Sequence, residues 1–144
     1  MINLHKVDDR MWRSGQPTVA DISELIELGV VAVLVLNGSY GEFVREVQAT
    51  GRTVYVHTIT DEEAQGTVPW DATILDRIDS LLCWPSQGSW LVHCTEGVDR
   101  TGIAVARYRV RKHGWSKQQA WDEWISLGSH NYAGLVKAWN EWVP

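Results

Sequence analysis

Cysteine is almost missing from this chain: Cys83 and Cys94 are the only two in 144 residues. That count excludes a disulfide framework, and no C-x-x-C pair or Cys/His array of zinc spacing occurs. Two isolated cysteines fit a reducing compartment more simply than a pairing with each other. No run of Lys or Arg is present and the net charge is −5, which argues against a nucleic-acid partner and against a membrane-surface enzyme. No stretch is apolar enough for long enough to cross a bilayer, and residues 1–10 lack the apolar centre of a signal peptide. The expected location is the cytoplasm. Phenylalanine occurs once, against nine tryptophans. Of these, Trp115, Trp121, Trp124, Trp139 and Trp142 crowd the C-terminal end at near-helical spacing, a core pattern rather than a binding box.

What is present reads as one domain, residues 1–144, large enough to fold without a metal or a staple. Strands and helices alternate. Thr18 opens a helix with Ile22, Leu25, Ile26 and Leu28 at helical spacing, stopped at Gly29. The continuous apolar run Val30 to Leu36 suits a strand buried on both faces. A helix from Glu42 to Ala49 and a strand from Thr53 to Ile59 follow, then a polar loop from Thr60 to Thr67. Another helix enters near Pro69, carries Trp70, Ile74, Ile78, Leu81 and Leu82, and is broken by Pro85 to Gly88. Trp90 to His93 is a short strand, and the helix after it runs from Thr101 to about Lys112, where Gly114 stops it. Ser116 and Gln119 form a capping box for the next helix. A last helix carries Leu135, Val136, Trp139 and Trp142. Such alternation predicts an α/β fold with a mainly parallel central sheet flanked by helices. Sites in these sheets lie at the carboxyl ends of strands, where Cys94 and Asp61 fall.

The chemistry concentrates in His93-Cys94-Thr95-Glu96-Gly97-Val98-Asp99-Arg100-Thr101-Gly102, of the form H-C-x-x-G-x-x-R-T-G. A thiol attacks as its thiolate, which positive surroundings favour. Cys94 lies just ahead of a helix N-terminus, with its positive dipole end and exposed N–H groups. Backbone N–H groups from Thr95 to Arg100 can converge into an anion nest, and Gly97 permits backbone angles other residues resist. Arg100 offers a planar fork for two phosphate oxygens, and the Thr101 hydroxyl can reach the sulfur. His93 is expected to orient the loop by hydrogen bonding. Cys83, beside Trp84 at the end of an apolar helix, is expected in the core.

This loop resembles the C-x5-R signature of the protein tyrosine and dual-specificity phosphatase superfamily. Met11-Trp12-Arg13-Ser14-Gly15-Gln16-Pro17-Thr18 is similar to the R-S-G-Q-P element near the start of small bacterial and phage members. Leu25 to Leu36 and Arg107 to Ser116 fit the same pattern, so the resemblance spans about Val7 to Leu127. It implies a dual-specificity phosphatase-like fold, Cys94 as nucleophile forming a cysteinyl-phosphate, and Arg100 as transition-state clamp. Thr95, Glu96, Gly97, Val98, Asp99 and Arg100 would bind the phosphate, with His93 and Thr101 in support. The implied general acid is Asp61, by its place after a strand. Glu62 and Glu63 are rivals, because the usual nearby Gly/Pro pattern is replaced by Pro69 eight residues on. Asp99 is the second choice, since a D-R-T ending also occurs in myotubularin-like lipid phosphatases. Arg13 and Ser14 are expected to tie the N-terminal segment to the sheet.

The implied activity is hydrolysis of phosphotyrosine, with phosphoserine and phosphothreonine as further substrates, and with no metal and no cofactor. An alternative is a non-protein substrate such as an inositol phosphate, a phosphoinositide or a nucleotide. The acidic Glu96 and the lack of loop lysines speak against a polyanion. A catalytically dead phosphopeptide-binding module is opposed by intact Cys94 and Arg100. The expected partner is a phosphorylated protein or a small phosphomonoester, not a nucleic acid or a membrane.

Overall fold

A computed structural model describes residues 1–38, 40–84 and 88–144, with the side chain of Asp61 outside the description. The chain divides into two compact units, Met1–Ile59 with Ser86–Gly97, and Thr60–Pro85 with Val98–Pro144.

The first unit holds the sheet. Its strands are β1 (His5–Asp8), β2 (Met11–Ser14), β3 (Val30–Val35), β4 (Thr53–Val56) and β5 (Ser89–His93), in the order β1-β2-β5-β3-β4. Among the described residues the β1–β2 pair alone is antiparallel; β2–β5, β5–β3 and β3–β4 are parallel. The mainly parallel sheet is therefore as expected, and β3 and β5 are its central, buried strands. Helices α1 (Ile22–Glu27) and α2 (Glu42–Ala49) complete the unit. Leu25, Phe43, Val44 and Val47 from these helices close a core with Val30, Val33, Val35 and Leu91. The N-terminal hairpin was not foreseen: it adds two short strands to an edge of β5. Strand β4 is shorter than the expected Thr53 to Ile59 because it pairs on one side only, and its pairing with β3 ends at Val56. Ile26 departs from the expected apolar stripe and is exposed, leaving Leu25 as the buried residue of α1.

The second unit is helical among the described residues: α3 (Asp61–Gln65), α4 (Ala72–Cys83), α5 (Arg100–His113), α6 (Lys117–Ser126) and α7 (Ala133–Glu141). Segment 60–67, expected as a loop, contains α3. Its signal was the capping box Thr60-x-x-Glu63: the Glu63 N–H donates to Thr60 Oγ1 at 3.1 Å and the Thr60 N–H to Glu63 Oε2 at 3.0 Å. Asp71 rather than Pro69 caps α4, its carboxylate accepting from the Thr73 N–H at 2.7 Å. Leu75, not Ile74, takes the buried position on that helix. The expected break at Pro85 to Gly88 lies mostly outside the described residues. Helix α5 ends on Gly114 at φ 69°, a left-handed cap. Trp124, Trp139 and Trp142 are buried and meet in a chain of aromatic contacts 5.4–6.1 Å between centroids, as their spacing suggests. Arg107 grips Asp79 through Nε and Nη2, the latter at 2.7 Å, and lies over the Trp142 ring, which links α5 to α4.

Candidate active site

The loop that follows β5 begins in the first unit, where Cys94–Gly97 is held chiefly at its main-chain carbonyls, by backbone and side-chain donors alike. Cys94 is 2% exposed and its Sγ accepts a hydrogen bond from the Gly97 N–H at 3.3 Å. This N–H is a donor of the kind an anion nest requires. His93 is fully buried, with its Nδ1 3.1 Å from the Cys94 carbonyl oxygen and its ring edge-on to Phe43. Thr95 and Glu96 are exposed, whereas Gly97 is buried.

The segment Arg13–Gln16 braces this turn from the other side of the unit. Arg13 Nη2 donates to the Gly97 carbonyl at 3.1 Å, and the Gln16 N–H donates to the Thr95 carbonyl at 2.8 Å. Asn37 Nδ2 donates both to Gln16 Oε1 at 2.8 Å and to Thr95 Oγ1 at 3.2 Å. Asn3 Nδ2 reaches the Glu96 carbonyl at 2.7 Å. Ser14 joins the sheet as expected, in register with His93. Arg13 belongs to the same strand, yet its guanidinium holds the loop as well, a contact spanning 84 positions that no local pattern announces. Gly97 is required twice over. Its φ is +79°, and a Cβ there would collide with the backbone of Ser14 and Gly15.

The rest of the loop, from Val98, belongs to the second unit, and side chains of its helices and of His130 hold it. The Val98 carbonyl accepts from Trp124 Nε1 at 3.1 Å. Asp99 stands at the N-cap of α5, and Arg100 and Thr101 are its first two helical residues, all three buried. No acidic side chain occupies the first turn of α5, while Arg111, Lys112 and His113 fill its last turn, an arrangement that leaves the positive end of the dipole open to an anion. Thr101 Oγ1 is buried with no hydrogen-bond partner among the described residues. Gly102 lets the Trp124 indole lie directly on the helix; a Cβ would overlap it.

The candidate acids separate. Asp61 is the first residue of α3, after the N-cap Thr60, and its side chain lies outside the description. Glu63 is engaged in the capping box and Glu62 is exposed. Asp99 is engaged as well. Its Oδ1 accepts from the His130 N–H at 2.8 Å and its Oδ2 lies 2.6 Å from His130 Nδ1. His130 is thus a partner of the loop, which no spacing in the sequence reveals. Both cysteines are free thiols. Cys83 is half-buried rather than core; burial pushes its thiol up, Asp79 adds to this, and Arg111 and Lys112 oppose it.

A family model described as "DSP-PTPase phosphatase fused to NAD+ Kinase" matches residues 2–133. The dual specificity protein phosphatase TpbA of Pseudomonas aeruginosa is 30% identical over 128 residues, covering 85% of this chain and 53% of TpbA. The chain therefore spans about half the length of that relative. The crystal structure of TpbA aligns with a TM-score of 0.73 at 25% identity, over 95% of this chain and 81% of that one. A further TpbA structure is in complex with pTyr. The core catalytic domain of the PP-IP phosphatase SIW14 from S. cerevisiae shares the fold, with a TM-score of 0.74 at 23% identity over 90% of this chain and 78% of that one. No helix among the described residues is long and apolar enough to cross a membrane.

Proposed function

We infer the function from one premise: the chain belongs to the family of DSP-PTPase phosphatases fused to NAD+ kinase. On that premise it is a cysteine-dependent phosphatase that hydrolyses phosphotyrosine, and phosphoserine or phosphothreonine with it, residues 1–144 acting as one catalytic domain in the cytoplasm. The observation that carries this reading is the Gly97 N–H donating to the Cys94 sulfur within a glycine turn braced by Arg13. A structural thiol has no need of such donors.

The Cys94 thiolate attacks phosphorus, the ester P–O bond breaks, and Asp61 gives its proton to the leaving oxygen. The Arg100 fork and the loop N–H groups carry the charge of the equatorial oxygens as it redistributes. Water then attacks the cysteinyl-phosphate, losing its proton to the Asp61 carboxylate. Inorganic phosphate departs and the thiolate is restored. The buried hydroxyl of Thr101 is suited to donate to the sulfur as it leaves. No metal or cofactor enters this scheme. The exposed Glu96 favours a single phosphate over a polyphosphorylated ring, since like charges at close range repel. That argument ranks phosphotyrosine ahead of an inositol phosphate or of the PP-IP named for SIW14.

The test is turnover on a panel of phosphotyrosine, phosphoserine and phosphothreonine peptides, inositol phosphates and an activated aryl phosphate, in EDTA throughout. Phosphotyrosine peptide and aryl phosphate are expected to turn over, and Cys94→Ser to abolish both. Asp61→Asn is expected to slow the peptide far more than the aryl phosphate, because only the poorer leaving group needs the proton. A preference for inositol phosphates overturns the substrate assignment. Equal slowing of both substrates by Asp61→Asn removes the acid role from Asp61.

A further inference from the structure

Asp99 occupies the N-cap of a 14-residue helix, yet its side chain caps nothing. A capping carboxylate accepts from the N–H groups one turn into the helix, with its own backbone extended. Asp99 instead has helical angles, φ −91° and ψ −67°, and makes no side-chain cap hydrogen bond. Both of its oxygens are taken by one residue 31 positions away: the His130 N–H holds Oδ1 at 2.8 Å and His130 Nδ1 lies 2.6 Å from Oδ2. The His130 ring is itself steadied by stacking on Tyr132, 5.2 Å between centroids and 16° from parallel.

The consequence is electrostatic. A carboxylate free to swing onto the first turn of α5 would satisfy the N–H groups of Thr101 and Gly102 and cancel the positive end of the helix dipole. A phosphate needs those same donors. We propose that His130 is a positioning residue that pins the Asp99 carboxylate away from the N-terminus of α5 and so keeps that terminus open for the phosphate. This rests on the phosphatase reading above, and it gives Asp99 a duty other than that of general acid. The backbone bond from His130 fixes one oxygen. The imidazole fixes the other, and the second contact is open to mutation.

The experiment measures inorganic phosphate binding by calorimetry, together with kcat and KM on an aryl phosphate. His130→Phe keeps the stack on Tyr132 and removes the donor. It is expected to weaken phosphate binding about tenfold, the scale of one helix-terminus charge interaction, and to raise KM similarly with kcat changed by less than about threefold. His130→Asn, whose amide can donate in place of Nδ1, should recover most of the affinity. The decisive arm is the double variant His130→Phe with Asp99→Asn. Removing the competing charge should restore phosphate binding toward wild type, whereas a purely structural role predicts further loss. Phosphate affinity unchanged in His130→Phe, or no recovery in the double variant, overturns the proposal. Should His130→Phe fail to fold, a wild-type affinity retained by His130→Ala overturns it equally, and a loss reversed by Asp99→Asn in that background supports it. A wild-type protein that binds phosphate but turns over no phosphomonoester contradicts the phosphatase reading and leaves the binding comparison intact.

Discussion

The two ends of the Cys94–Arg100 loop are secured by different means. At Cys94–Gly97 the deciding feature is the absence of a side chain: Gly97 lies against the Ser14–Gly15 backbone, while Arg13, Asn3 and Gln16 donate to the carbonyls of Gly97, Glu96 and Thr95. Val98 and Asp99 are fixed by side chains of the helical unit, the Trp124 indole and His130. Backbone contacts around a glycine leave almost no substitution open. Side-chain contacts are discrete bonds that can be removed one at a time, so the Gly97 end should be brittle and the end leading into α5 adjustable.

The sharpest way to break this contrast is Gly97→Ala. The positive φ and the collision with Ser14 and Gly15 force the turn to move, and a displacement of about 1 Å near the nucleophile is expected to lower kcat/KM by at least about a hundredfold. A thermal melt should fall by several degrees as well. Activity within a few-fold of wild type would show that the front of the loop is no more constrained than the rear. Trp124→Phe probes the rear. It deletes the bond to the Val98 carbonyl while keeping most of the buried ring, and loss of a buried partner costs about 1–3 kcal/mol of stability. Thermal unfolding should register that cost, with kcat/KM down about tenfold and not more. A loss as deep as that of Gly97→Ala would erase the distinction.

The smallest effect is expected at Cys83. Its thiol is held up by burial and by Asp79, against Arg111 and Lys112, so it remains a neutral thiol until the pH rises above the ordinary cysteine range. Iodoacetate near neutral pH should label Cys94 first, with protection by phosphate, and Cys83 only slowly. Mass spectrometry of the two peptides checks this. Raising the pH should speed Cys83 and leave its labelling insensitive to phosphate. Faster labelling of Cys83 at neutral pH would make it the more reactive thiol and contradict its assignment as a bystander.

What could be read from the sequence alone was local. The apolar run of β3, the helix stop at Gly114, the capping box of α6 and the whole H-C-x-x-G-x-x-R-T-G loop each carry their signal within about ten residues, because helix caps, buried strands and anion nests are built from neighbours along the chain. Helix α3 was missed although its signal, the Thr60–Glu63 box, is equally local. Strands β1 and β2 were not legible, being four residues each and lacking a clear alternation; the pairing of β1 with β2 and of β2 with β5, not propensity, makes them strands. The same holds for the loop's supports. Arg13 meets Gly97 across 84 positions, and His130 meets Asp99 across 31. The sequence alone determined the order of residues in the Cys94–Arg100 loop and the helix that follows it. Which side chains keep that loop in shape was decided only by tertiary structure, because their bonds join residues that no periodicity or spacing connects.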